Sequence, residues 1–220
     1  MEEQWLKQWN NRFSKEDYAY GELPNEFLKE QLKKFIPGEI LFGAEGEGRN
    51  SVYAARFGWN VCAFDISIEG KKKALRLAEK NNVVIDYRIG ALPELGFKNE
   101  QFDVVALIYA HFPPNIRAEY HHLLNSYLRE GGHILFEAFG KNHLEYRRRN
   151  EKVGGPSDYN MLFSKEELTT AFNNFDIIKL EEKVVELNEG TYHVGLGSVI
   201  RFVGKKNEAT LSSKIIRAIL

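Results

Sequence analysis

The chain has 220 residues, with 30 Lys and Arg against 31 Asp and Glu and a formal net charge of -1. That balance excludes the basic surplus with which a domain grips nucleic acid. Cys62 is the single cysteine, which excludes an internal disulfide framework and a cysteine metal cluster.

The length suits one domain with an appended lid, and 43% hydrophobic residues are enough for its core. No run approaches the roughly 18 uninterrupted apolar residues of a membrane span. Met1-Glu2-Glu3-Gln4-Trp5 lacks the basic segment and apolar run of a signal peptide. The expectation is a cytoplasmic globular protein, monomeric or homodimeric, with no nucleic-acid or membrane partner.

Residues 1–36 are rich in aromatic and charged side chains and read as helical pieces around a turn at Tyr20-Gly21-Glu22-Leu23-Pro24. Pro24 is placed to open the second piece, where Phe27, Leu28, Leu32 and Phe35 recur at helical spacing. Pro37-Gly38 breaks the chain, and an alternation follows. Strands are expected at 39–43, at 60–64 with Asp65 at its end, and at 83–89, 102–109 and 133–139. Helices are expected at 48–57, 69–80 and 115–128. This alternation implies parallel pairing through crossovers, and apolar runs such as 104–108 suit strands covered on both faces.

Beyond 140 the rhythm changes. Residues 143–156, polar and glycine-containing, read as a long loop. A helix over 164–172 has Ser164 as N-cap and Glu167 three residues on, a capping box. Strands over 175–187 and 192–203 are joined by Asn188-Glu189-Gly190, a hairpin signal. Residues 207–220 read as a terminal helix with Leu211, Ile215, Ile216 and Ile219 on or near one face.

The first strand runs into Gly43-Ala44-Glu45-Gly46-Glu47-Gly48-Arg49-Asn50. Glycines there allow a sharp turn and close approach of a ligand to a helix N-terminus. Asp65, seventeen residues after Gly48, falls beside that loop, where a carboxylate can accept both hydrogen bonds of a ribose diol. Loop, strand–helix–strand context and terminal acid together point to a nucleoside-bearing ligand. As a dinucleotide fingerprint the loop is incomplete, with Ser51 where Gly or Ala permits close helix packing, and Glu45 and Glu47 fall where a pyrophosphate would lie. A sulfonium cation with an amino-acid tail meets no such conflict, and Arg49 could pair with its carboxylate.

The segment 40–50, followed by Ala63-Phe64-Asp65-Ile66-Ser67, resembles motifs one and two of class I S-adenosylmethionine-dependent methyltransferases. Its Gly46-Glu47-Gly48-Arg49-Asn50 form is similar to the tellurite-resistance and thiopurine methyltransferase branch. Tyr20-Gly21-Glu22-Leu23-Pro24-Asn25, Gly90-Ala91-Leu92, Phe102-Asp103-Val104-Val105, Leu128-Arg129-Glu130-Gly131-Gly132 and residues 189–195 match as well. The resemblance spans about residues 5–204. It implies an α/β fold: a Rossmann-like seven-stranded, mostly parallel sheet with helices on both faces, the last strand antiparallel, and an N-terminal helical lid. The expected organisation is one methyltransferase domain over 1–206, with lid 1–36 and core 37–206, then a helix over 207–220. The family's late acid in strand one is here Phe42, its first glycine Ala44, its usual Cys or Ser Glu45, and its acid after strand three Ala91.

The cofactor implied is S-adenosylmethionine, with S-adenosylhomocysteine as product and no metal. The residues expected to hold it are Tyr20, Gly43, Ala44, Glu45, Gly46, Gly48, Arg49, Asn50, Asp65, Ile66, Ser67, Gly90, Ala91, Leu92, Tyr109 and His111. The reaction expected is in-line transfer of a methyl group to a small-molecule acceptor: a thiol, a metalloid oxyanion or an amine. Positioning supplies most of the catalysis, because the leaving group is already activated. A base is needed only for an acceptor protonated at working pH, and His111 and His193 are the candidates. Trp5, Trp9, Phe13, Tyr18 and Tyr20 could close over the cofactor. Arg147-Arg148-Arg149 would favour an anionic acceptor if the segment lies near it. Phe112 before Pro113-Pro114 departs from the amide-Pro-Pro motif of nucleic-acid amino methyltransferases. His121, His122 and His143 lack ligand spacing for a metal. Two other readings are a nicotinamide-dependent oxidoreductase and an inactive S-adenosylmethionine-binding protein.

Overall fold

The computed structural model describes residues 2–208. Seven strands form one sheet in the order β3-β2-β1-β4-β5-β7-β6: β1 (Glu39–Gly43), β2 (Asn60–Asp65), β3 (Asp86–Ile89), β4 (Phe102–Ile108), β5 (Leu128–Phe139), β6 (Phe175–Glu189) and β7 (His193–Lys206). The ladders from β3 to β5 are parallel, and β7 runs antiparallel to both neighbours. This is the seven-stranded, Rossmann-like sheet with one antiparallel strand expected from the resemblance.

Alternation along the strands builds a core on each face. On β1, Ile40 and Phe42 face one way and Leu41 the other. On β4, Val104, Ala106 and Ile108 face the first side and Val105 and Leu107 the second. The first side is covered by α2 (Glu26–Leu32), α3 (Arg49–Arg56) and α4 (Ile68–Lys80), through Phe27, Leu28, Val52, Ala74 and Leu77. The second is covered by α5 (Pro114–Tyr127) and α7 (Lys165–Ala171), where Leu124, Leu168 and Phe172 pack on Phe136 and Phe202. Each such fully buried Phe or Leu contributes about 1.5–3 kcal/mol over its exposed state. Phe42, where the family has an acid, is 1% exposed in the first core.

Several helix starts follow local chemistry. Ser67 accepts the Gly70 N–H ahead of α4, and Ser164 with Glu167 forms the expected capping box of α7. α1 (Glu2–Phe13) precedes the turn before α2. Pro24 does not open α2: Asn25 is the N-cap, its side chain accepting the Leu28 N–H, so Pro24 lies just outside. β3 begins at Asp86 and not at 83, because Val83 closes the preceding turn onto Ala78 O. β5 begins five residues before the expected 133, with a register irregularity beside Phe102 that absorbs Gly131 and Gly132.

The expected loop over 143–156 is ordered instead. It holds α6 (His143–Arg149) and a 3-10 turn (Glu151–Val153), anchored by fully buried His143 stacked on Phe139 at 3.8 Å and by buried Val153. A buried histidine and a buried valine ten residues apart among polar residues give little periodicity to read. The expected terminal helix over 207–220 lies, from residue 209 on, outside the described residues; Asn207 is not helical and donates to Asn174 O.

Candidate functional site

The strand order reverses between β1 and β4, and open α/β sheets bind ligands in the crevice at the carboxyl ends of such a pair. Register aligns those ends: Gly43 lies opposite Phe64, Asp65 opposite Ile89, and Ile108 opposite Glu137. Around this edge stand the half-buried Ala44, Ile66, Gly90, Ala91 and Tyr109. Tyr109 follows β4 with φ 54°, a left-handed turn uncommon for a bulky residue, and its N–H donates to Glu137 O at 2.7 Å.

The glycines of the loop have different duties. At Gly48, with φ 87°, a Cβ would meet Ala74 at 2.5 Å, so this position lets α3 pack on α4. Gly46, with φ 63°, has Phe13 of α1 3.0 Å from where its Cβ would be, and its carbonyl accepts from Tyr87 Oη at 2.6 Å. Ala44 adopts φ 50°.

Both loop carboxylates are engaged by the chain itself, Glu45 by the first amides of α3 and Glu47 by Lys73. Glu45 Oε1 accepts the Asn50 N–H (3.0 Å) and the Ser51 N–H (2.7 Å), capping α3 with the chain's own carboxylate. Burial pushes the Glu45 carboxyl up to about 7. Glu47 pairs with buried Lys73 at 2.5 Å and accepts the Ala19 N–H, and burial raises it too. Asp65, 8% exposed, accepts from Gly46 N–H and Ser67 N–H, both at 2.9 Å, and burial raises its pKa. It lies beside the loop as expected, but it also ties the loop to the end of β2.

Arg49, expected beside a methionine carboxylate, turns instead to the β6–β7 hairpin. Its Nη2 lies 3.0 Å from Glu189 Oε2, and its Nη1 donates to Tyr20 O at 3.3 Å. His193 Nδ1–H donates to the same Glu189 oxygen at 2.9 Å. The imidazole is walled by Tyr20 and Tyr109, each with its ring centroid at 4.5 Å, and by Phe139 at 5.2 Å. Burial raises the Glu189 carboxyl, but Arg49 and then His193 outweigh it and hold the pKa down at about 2. Burial lowers the His193 pKa against the opposing pull of Glu189. Asn25 joins this cluster to a second buried pair, donating to Glu189 Oε1 (3.1 Å) and Glu137 Oε1 (2.6 Å), while Glu137 pairs with Arg201 at 2.5 Å.

His111 has a different environment. Its Nδ1–H donates to Met161 O at 2.9 Å, its Nε2 accepts the Phe139 N–H at 3.3 Å, and burial lowers its pKa to about 3. Leu92 and Ser67 are fully buried; Leu92 lies in the core and Ser67 caps α4. Asn50 is buried and its Oδ1 accepts the Asn25 N–H at 2.9 Å.

Glu189, Asn25, Glu137 and Tyr87 were not among the expected site residues. Glu189 lies inside the hairpin signal, where an acid reads as turn composition, and its partners Arg49 and His193 are 140 and 4 residues away.

The aromatic N-terminus divides. Trp5 and Trp9 pack edge to face and Trp9 stacks on Phe13, which lies against the glycine loop. Tyr18 Oη donates to Lys73 O. The hairpin tip clasps this segment: Thr191 N–H donates to Ala19 O at 2.9 Å, and Arg12 lies over the Tyr192 ring at 4.6 Å. A cavity of about 190 Å³ opens on the outside of that seam, between Arg12, Lys15 and Tyr192. A larger one of about 300 Å³ lies at the opposite end of the sheet, by Trp59 and Arg129, and touches none of these residues. Among the described residues no helix is long and apolar enough to cross a membrane, and no three His, Cys, Asp or Glu side chains are grouped to hold a metal ion.

Residues 40–132, which carry the glycine loop, Asp65 and Tyr109, match the sequence family described as "Methyltransferase domain". By that match the protein is a methyltransferase enzyme. No curated protein matches the chain in sequence. Among solved structures it resembles one from a study of the conversion of a disulfide bond into a thioacetal group during echinomycin biosynthesis, with TM-score 0.76 and 15% identity over 99% of this chain and 97% of that one. TehB from Haemophilus influenzae aligns with TM-score 0.66 and 17% identity over 83% of this chain and 62% of that one. Magnesium protoporphyrin IX methyltransferase from Synechocystis, solved with bound S-adenosylhomocysteine, aligns with TM-score 0.62 and 16% identity over 83% of both chains. These likenesses establish the fold, and TehB does not stand apart from the others.

Proposed function

We propose that the protein binds S-adenosylmethionine in the crevice between β1 and β4 and transfers its methyl group in line to a small-molecule acceptor. One observation carries the choice of cofactor: the α3 amides that a pyrophosphate would need are already taken by Glu45. That weighs against a dinucleotide and leaves Asp65 free to serve a nucleoside, since a carboxylate offers about four lone-pair sites and two here hold backbone amides.

The residues fit a sulfonium ligand. Asp65 would hold the ribose diol, and Ala44, Ile66, Ala91 and Tyr109 offer half-buried walls. When bound, S-adenosylmethionine supplies a methyl group on a sulfur that leaves as a neutral thioether. The chain's own part is to position the acceptor and exclude water, for which the clasp of residues 18–25 by the hairpin tip is suited. The glycine-loop sequence favours the tellurite-resistance and thiopurine branch. We read 1–206 as one domain with 1–36 as its lid, working in the cytoplasm.

Calorimetric titration with S-adenosylmethionine, S-adenosylhomocysteine and NADH tests the reading. Micromolar-range binding of the first two and none of NADH is expected; binding of NADH alone would overturn it.

A further inference from the structure

We propose that His193, oriented by Glu189 and backed by Arg49, accepts the proton of the methyl acceptor, and that the acceptor is therefore a thiol or an amine protonated at neutral pH, not a metalloid oxyanion. The inference rests on the methyltransferase reading above.

Place comes first. Arg49 opens the helix after β1, Tyr109 is the turn after β4, and His193 touches Tyr109 while sharing Glu189 with Arg49. The chain Arg49–Glu189–His193–Tyr109 thus bridges the two sides of the switch point, where open α/β sheets do their chemistry.

Free valence comes second. Three buried histidines surround Phe139: His111, His143 and His193. His111 has both ring nitrogens engaged. His143 does too, with Nε2–H donating to Gly154 O and Nδ1 accepting the Ser198 N–H. His193 has one nitrogen on Glu189, and among the described residues its Nε2 has no protein partner. The two engaged rings are structural pins; the third is held by an acid and keeps a lone pair.

The arrangement suits a base. A carboxylate on Nδ1–H fixes the tautomer with the lone pair on Nε2 and stabilises the imidazolium once formed. Arg49 keeps Glu189 ionised. The charged and titratable groups around the ring are Glu189 from the hairpin, Arg49 from α3, Arg12 from α1, Tyr20 from the following turn, Tyr109 and His111 from the end of β4, and His143 from α6. Burial keeps His193 neutral, and so able to accept, at pH 7.

In the step, loss of the acceptor's proton frees a lone pair, which would form the bond to the methyl carbon while the carbon–sulfur pair stays on sulfur. The acceptor's proton moves to His193 Nε2, and the resulting positive charge is shared with the Glu189 carboxylate through Nδ1–H. An oxyanion already offers its lone pair and would give this dyad no task.

Long-range proton–nitrogen correlation spectra of the labelled full chain at pH 7 give a readout independent of turnover. His193 is expected as the Nδ1–H tautomer, shifting towards Nε2–H in Glu189→Gln. With 2-mercaptoethanol and ethanolamine as probes, His193→Gln should lose about 100-fold or more in S-adenosylhomocysteine formation while binding S-adenosylhomocysteine like wild type. In Glu189→Gln the acidic limb of the kcat/KM profile should move to lower pH as the rate falls. That variant strands the Arg49 charge, so His193→Gln decides if it fails to fold. An Nε2–H tautomer in the wild type, full activity of His193→Gln, or turnover of selenite but neither probe would overturn the proposal. A wild type that does not bind S-adenosylhomocysteine would sink the cofactor reading instead, and the tautomer would still decide the dyad.

Discussion

At the scale of single residues, one carboxylate at the end of β2 has a structural task and a proposed binding task. Asp65 both faces the place proposed for the ribose and holds the Gly46 and Ser67 amides. Asp65→Ala should therefore weaken S-adenosylhomocysteine binding by roughly tenfold to a thousandfold and also cost about 1–3 kcal/mol of stability, because two buried donors lose their acceptor. Calorimetry and denaturant unfolding separate the effects. Asp86→Ala, at an exposed pair with Arg88, is the control and should change neither much. Wild-type affinity in Asp65→Ala would show that the ribose lies elsewhere. Glu45 makes a second test. Its pKa of about 7 exceeds the ordinary 4.5, so the folded state binds a proton that the unfolded state has released between those values. Stability from this group is full below about pH 4.5 and is lost as pH rises through 7. Glu45→Gln should remove that slope: comparing unfolding free energies at pH 5 and 8, the wild type should lose on the order of 2–3 kcal/mol relative to the variant. Parallel profiles would mean that Glu45 is ionised throughout.

At the scale of elements, the N-terminal segment and the β6–β7 hairpin pack together, and we propose that they act as one cover. Gly190, at φ 61°, brings the hairpin backbone so close that a Cβ there would fall 2.5 Å from Ala19 O and Gly21 N. If this cover closes over the cofactor, residues 5–25 and 188–193 should gain hydrogen-exchange protection together when S-adenosylhomocysteine binds. Protection of one segment without the other would separate them. This cover was half legible in the sequence. The aromatic run Trp5 to Tyr20 marked a segment that must pack somewhere, but Arg49–Glu189 and Thr191–Ala19 pair residues more than 130 apart, and nothing local announces them.

For the whole molecule, the histidines set the acid limit. His111, His121 and His143 are buried, and burial lowers their pKa values to about 3, 4 and 4. Unfolding lets each return to its ordinary 6.5, so the unfolded state binds more protons between those limits. Their contribution is full above pH 6.5 and is lost as pH falls towards 4, opposite in sign to that of Glu45. Melting temperature should therefore drop from pH 7 to pH 4.5, and less so in His121→Phe, whose ring lies between Phe163 and Phe172 and whose Nε2 is buried without a partner among the described residues. A melting temperature unchanged across that range would mean these rings are already protonated in the folded state.

The order of strands and helices up to residue 139 lay open in the sequence. So did the glycine loop, the acid ending β2 and the hairpin that makes β7 antiparallel. Each rests on local rules: period-two apolar runs, caps and turn residues within a few positions of one another. What each polar group does was decided by tertiary structure. Glu45 and Glu47 read alike as charges set against phosphate, but one takes the α3 amides a phosphate would use and the other neutralises Lys73. Arg49 looked free for a ligand and is held by Glu189. His111 and His193 were equal candidates until the fold engaged both nitrogens of one and, among the described residues, only one nitrogen of the other. The pattern of apolar residues fixes which surfaces meet, whereas the state of a buried polar group depends on partners that only the folded chain brings within 3 Å.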